Sequence, residues 1–132
     1  MKCYKGLLLL LFFISFAQLN AQQLKRKYRG IYDGQIPAYE VKMGTSTYPV
    51  GTSKIKVFLG QDSINIEIGT YHYEAAYILE KTKENLIITV NRDQSGLAEQ
   101  LRLDPKTKIM VRKGLYPQPD ARLTRTGKLP RR

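Results

Sequence analysis

Residues 54–69 read KIKVFLGQDSINIEIG and alternate apolar and polar side chains on both sides of a central turn-forming segment. Such alternation is typical of β-strands that bury one face. A loop at residues 60–63 sets the apolar residues of the two runs opposite one another, Leu59 with Ile64, Val57 with Ile66 and Ile55 with Ile68. The same register puts Lys56 opposite Glu67 on the outer face. Because the hydrophobic and charge patterns agree, we predict an antiparallel hairpin here.

Similar period-two runs recur along the chain and are separated by segments rich in turn-forming residues. They predict nine strands, at about 27–32, 38–43, 54–59, 64–69, 70–79, 86–91, 97–103, 108–113 and 121–126. The intervening turns are expected at 34–37, 48–51, 60–63, 84–85, 93–96, 104–107 and 116–119. Short connections make neighbouring strands antiparallel. We therefore predict an all-β fold, a small up-and-down β-barrel of eight or nine strands or, as the alternative, a β-sandwich.

This outline resembles that of small lipocalin-like barrels in its architecture. The resemblance implies a ligand cavity. The chain contains no tryptophan, so it lacks the early tryptophan signature of that family, and the segment YRGIY at 28–32 does not replace it. No family is assigned, because a shared fold does not determine a function.

The first 21 residues have the pattern of a secretory signal. Lys2 and Lys5 precede an apolar stretch over 6–17, and Ala21 is a small residue at a suitable cleavage point. We predict cleavage there and export to the periplasm or the extracellular space, leaving a single all-β domain at 22–132. The one cysteine of the chain, Cys3, would leave with the signal. The exported chain would then fold without disulfides, and thiol chemistry is excluded.

The chain of 132 residues is basic, with 22 Lys and Arg against 11 Asp and Glu. Its positive side chains concentrate toward the two ends of the predicted domain, which we expect to be flexible. The candidates for contact with an anionic glycan or lipid headgroup are Lys25, Arg26, Lys27, Arg29, Arg122 and Arg125. Only one aromatic residue lies among the basic ends, and export argues against nucleic acid as a partner.

Tyr71, Tyr73 and Tyr77 share one face of a single predicted strand with Ala75 and Leu79. If this face points inward, phenol rings line part of the barrel interior. Such rings combine flat apolar surface with a hydroxyl group, as in sites for sugars, aromatic compounds or lipids. The alternative interpretation is that the rings fill the core and extend their hydroxyls to the rim.

Glu99 falls on the same predicted face as Leu97, Leu101 and Leu103. A lone buried carboxylate is costly, so it requires a partner. If Leu103 pairs with Ile109, Glu99 lies opposite Lys113, and we predict an ion pair at the barrel mouth. This pair would be structural or would orient a polar ligand.

His72 is the single histidine, and it is expected on the outer face beside Glu74. Metal and triad chemistry would both depend on it, and no phosphate loop or nucleophile motif is present in the sequence. An enzyme using Glu74 with His72 or Glu67 is a minor hypothesis. We therefore expect no catalytic residues, no metal site and no cofactor.

The sequence favours a non-enzymatic, exported binding module that holds a small amphipathic ligand or docks a protein partner. The alternative is a structural or accessory envelope protein, attached to an anionic surface through its basic ends. Added salt distinguishes the two, because attachment through exposed charges weakens strongly and binding in a cavity changes little.

Overall fold

The computed structural model describes residues 23–91 and 98–130. Its strands, in chain order, are β1 (Gly30–Ile36), β2 (Tyr39–Met43), β3 (Ser46–Val50), β4 (Ser53–Leu59), β5 (Ser63–Ile68), β6 (Tyr71–Lys81), β7 (Leu86–Asn91), β8 (Ala98–Leu103), β9 (Ile109–Arg112) and β10 (Ala121–Gly127). Eight of them close into an antiparallel barrel in the order β1-β10-β9-β8-β7-β6-β5-β4, and β2 and β3 form a separate hairpin. The predicted up-and-down barrel is confirmed. The predicted signal at 1–21, the turn at 93–96 and Leu97 lie outside the described residues.

The β4–β5 hairpin has the predicted register. Leu59 lies opposite Ile64, Val57 opposite Ile66, and Lys56 opposite Glu67 on the outer face. The inward-facing apolar residues of this hairpin are buried together with those of the other strands in one core. Its members on the strands are Tyr32, Ile36, Ile55, Val57, Leu59, Ile64, Ile66, Leu79, Leu86, Ile88, Val90, Leu101, Leu103, Met110, Ala121 and Leu123. This hairpin therefore supplies two adjacent walls of the barrel.

The two ends of the barrel differ. Strands β1, β5, β7 and β9 finish at one end, and the β2–β3 hairpin between β1 and β4 lies there, so we call it the hairpin end. At the other end the chain enters β1 from a short 3₁₀ turn, Arg26–Tyr28. Leu24 precedes this turn and is buried with the core. Because this segment covers the barrel there, we call it the plugged end.

Side-chain hydrogen bonds hold the plug in place. The Arg29 guanidinium donates from Nε and Nη2 to the Leu24 carbonyl, at 3.0 and 2.8 Å. Arg125 of β10 donates from Nη2 to the Arg29 carbonyl at 3.0 Å. Tyr32 Oη donates to the Tyr28 carbonyl at 2.6 Å. The basic N-terminal segment is thus packed on the barrel.

Several predicted boundaries were wrong. The turn expected at 34–37 lies largely within β1, and the strand expected to begin at residue 27 begins at Gly30. The turn expected at 48–51 overlaps β3, which pairs with β2. Gly and Pro usually mark turns, but here they occur within strands. Gly34 sits where a Cβ would collide with the Arg122 carbonyl oxygen, so close approach of β1 and β10 explains its position.

No helix in the described part of the chain is long and apolar enough to cross a membrane.

Candidate functional site

Tyr71 and Tyr73 lie at the hairpin end, at the start of the long strand β6. The first half of β6 pairs with β5, whereas Tyr77–Lys81 pairs with β7. Tyr73 and Ala75 pack against the core but remain partly exposed. Tyr71 is 50% exposed and its ring centroid lies 5.8 Å from that of Tyr73. The pair presents a tilted aromatic surface at this end of the barrel.

Tyr77 belongs to a different part of the molecule. Its Oη lies 2.6 Å from the Gly60 carbonyl oxygen and 2.7 Å from that of Gln61, in the loop between β4 and β5. This loop is at the plugged end, so Tyr77 ties β6 to the neighbouring hairpin. The three tyrosines predicted as one ligand surface are therefore divided between the two ends, and Tyr77 has a structural contact.

We predict that the free energy of unfolding depends on pH through the hydroxyl groups of Tyr32 and Tyr77. Burial raises the pKa of each to about 12, whereas an unfolded chain loses the phenol proton near pH 10. The stabilising contribution is therefore complete below about pH 10 and is lost as pH rises toward about 12. We expect the free energy of unfolding, measured by urea titration, to fall across this window. Tyr32→Phe should make the fall shallower, and an unchanged slope would contradict this assignment.

A buried ion pair lies in the barrel interior. Glu99 on β8 and Arg112 on β9 have side chains that are 1% and 2% exposed. Arg112 Nε donates to Glu99 Oε1, and Arg112 Nη1 donates to Gln118 Oε1 at 2.6 Å. Glu99 Oε2 is also buried, and no described residue gives it a hydrogen bond. The carboxylate thus retains buried acceptor capacity.

The predicted pairing of Glu99 with Lys113 was wrong by one residue. Leu103 pairs with Met110, so the inward position on β9 is occupied by Arg112, and Lys113 is exposed. The shift originates in the β8–β9 loop, where Lys108 adopts a positive φ of 56° and donates its N–H to the Asp104 carbonyl. Residues 109–112, IMVR, are apolar on both faces until Arg112, so their alternation did not reveal the register.

The basic candidates do not form one surface. Lys25, Arg26 and Lys27 are exposed at the plugged end, and Arg122 is exposed at the start of β10, at the hairpin end. The guanidinium groups of Arg29 and Arg125 are engaged by backbone carbonyls of the plug. Among the six predicted basic residues, Lys25, Arg26 and Lys27 therefore remain the compact candidate for contact with an anionic surface.

The outer wall carries opposite charges that lie close together. Lys56 Nζ lies 3.8 Å from Asp33 Oδ1, and Lys56 also lies across from Glu67. His72 is exposed and lies across from Glu67 on β6. Within residues 23–91 and 98–130, no three potential metal-ligating side chains come close enough to hold an ion. This row of residues is suited to cross-strand pairing on a solvated sheet face.

No protein family model matches the chain, and neither a curated protein nor a solved structure matches it.

Proposed function

We propose that this protein is an exported, non-enzymatic binding module that accepts a small amphipathic molecule at the hairpin end of its barrel. The observation that carries the proposal is Glu99 Oε2, a buried carboxylate oxygen with no hydrogen-bond partner among the described residues. An unmet acceptor in a low-dielectric interior is costly, and a ligand that donates a hydrogen bond removes that cost.

The residues near this end suit the apolar part of such a ligand. Tyr71 and Tyr73 offer aromatic faces, and Ile68, which lies across from Tyr71 at the end of β5, is partly buried beside them. Ala75 is small, packs against the core and lies farther along β6 toward the plugged end, across from Ile64. Apolar walls with a few placed polar groups are typical of small-molecule sites.

The buried ion pair restricts the polar head of the ligand. Arg112 neutralises the charge of Glu99 and is itself held by Gln118, so the pair attracts no anion. The remaining acceptor favours a hydroxyl, amide or amine group. We therefore propose a neutral or weakly basic amphipathic molecule with a hydrogen-bond-donating head.

A neutral fluorescent probe tests this proposal. N-phenyl-1-naphthylamine has an apolar body and one N–H donor, and we expect its emission to rise on binding. Tyr71→Ala removes half-exposed aromatic surface without opening the core, and we expect it to weaken binding roughly tenfold. Ile78→Ala is the matched control, because Ile78 lies on the same strand and is 61% exposed on the outer face. The control should bind as the parent does.

Two results would contradict the ligand site. One is the absence of probe binding, and the other is binding that Tyr71→Ala and Ile78→Ala reduce equally. Moderate salt should leave the affinity nearly unchanged, because contacts within a barrel are screened far less than exposed charges.

The exposed Lys25, Arg26 and Lys27 favour a second candidate, attachment to an anionic envelope surface through the plugged end. Anionic vesicles containing phosphatidylglycerol would then bind the protein, and added salt would release the protein from them. Export remains part of both proposals, and N-terminal sequencing of the protein from its native cell tests cleavage near Ala21.

A further inference from the structure

The β2–β3 hairpin has one apolar face and one polar face. Its strands pair so that five residues with large apolar groups share a side of the small sheet: Tyr39, Val41, Met43, Tyr48 and Val50. Tyr39 packs against the core, whereas Met43 is 61% and Tyr48 is 51% exposed. A two-stranded sheet with an exposed apolar face is marginally stable alone in water. The outer half of this hairpin is therefore suited to a partner.

The two edges of the hairpin are not equivalent. Gly44 has a φ of 65° in the two-residue turn between Met43 and Ser46, which are opposite one another. A two-residue turn closes on a hydrogen-bonded pair, and hydrogen bonding alternates along an antiparallel ladder. The backbone groups of Glu40 and Lys42 thus point away from β3.

On the opposite edge, the outward groups belong to Thr47 and Pro49, which lie across from Lys42 and Glu40. Proline has no N–H, so the edge of β3 lacks a hydrogen-bond donor at Pro49 and is poorly suited to pairing with an added strand. The edge of β2 keeps its outward donors and acceptors. An added strand would consequently pair with β2.

The sequence of β2, YEVKM, is complementary to itself in an antiparallel arrangement. When two copies meet about a twofold axis at Val41, Glu40 of each lies opposite Lys42 of the other. These are the residues whose backbone groups point outward, so charge pairing and hydrogen bonding require the same register. On the other face, Tyr39 lies beside Met43 of the second copy.

We infer that this protein forms a homodimer through antiparallel pairing of its β2 edges, giving a four-stranded sheet with β3 on each outside edge. Such an isologous contact is closed, because it uses the same edge on both copies. A pairing of five-residue strands is small, so the dimer is reversible and depends on protein concentration. The contact does not involve Glu99 or Tyr71, so it does not rest on the proposed ligand.

Sedimentation equilibrium over a concentration series measures the dissociation constant of the dimer, and charge-reversal variants test its register. Glu40→Lys places like charges opposite one another at both Lys42 positions of the dimer, and we expect the dissociation constant to rise roughly tenfold or more. Lys42→Glu should have the same effect. The double variant Glu40→Lys/Lys42→Glu restores opposite charges and should recover dimerisation. An equimolar mixture of the two single variants should form a heterodimer.

Proline substitutions test the edge itself. Lys42→Pro removes an outward N–H of β2 and should abolish the dimer, whereas Thr47→Pro at the facing position on β3 should leave it intact. Thermal unfolding of each variant should match the parent, because these side chains are exposed and the N–H groups of residues 42 and 47 point away from the partner strand of the hairpin. A parent protein that remains monomeric throughout the series would overturn the inference. A dimer unaffected by both charge reversals, or one lost equally in the two proline variants, would also overturn it.

Discussion

Arg112→Ala is expected to lower the free energy of unfolding by about 3–5 kcal/mol. The substitution leaves the Glu99 carboxylate in an interior where its side chain is 1% exposed, without the guanidinium that neutralises it. The loss is large because an uncompensated buried charge forgoes its hydration. Denaturant titration with guanidinium chloride, followed by far-ultraviolet circular dichroism, measures this change.

Replacement of both partners separates the cost of an orphaned charge from the net value of the pair. Glu99→Leu with Arg112→Met fills a similar volume with apolar groups, and we expect a stability near that of the parent or higher. The same double variant removes the proposed ligand acceptor, so it should lose probe binding while remaining folded. A single Arg112→Ala change that cost less than about 1 kcal/mol would show that the pair is hydrated.

Ile66→Ala is expected to cost about 2–5 kcal/mol, because it removes a large side chain that is completely buried in the barrel. Its neighbour Asn65 points to the outer face, and its side-chain oxygen is buried without a hydrogen-bond partner in the described region. Asn65→Ala therefore breaks no side-chain hydrogen bond at that oxygen. We expect its effect to be small, within about 0.5 kcal/mol.

The two positions are adjacent on β5, so the comparison holds strand and neighbourhood constant. Urea titration of both variants gives the difference directly. Equal losses of stability would mean that the inward and outward faces of β5 are misassigned, and the register with β4 would then be wrong as well.

The sequence by itself determined the faces and register of the β4–β5 hairpin, since two independent patterns agreed there. Apolar alternation placed Val57 and Ile66 inside, and opposite charges placed Lys56 beside Glu67 outside. A register shift of one residue would have placed the apolar side chains of one strand on the outer face and separated Lys56 from Glu67. Alternation also placed Tyr73 on the face that packs against the core. Every second residue of a strand lies on the same face, whichever strands pair with it.

Only the tertiary structure decided the partner of Glu99 and the loop contact of Tyr77. Alternation specifies which side chains share a face, but not which residue of the next strand lies opposite. In the β8–β9 loop, the left-handed conformation of Lys108 determined that register and brought Arg112 inward. Tyr71 and Tyr77 lie about 20 Å apart on β6 whichever strands flank it, because each residue advances a strand by about 3.3 Å. Only the folded barrel brings Tyr77 Oη to the carbonyl oxygens of Gly60 and Gln61. Loop conformation and closure of the barrel set these relations, and they depend on residues far apart in the chain.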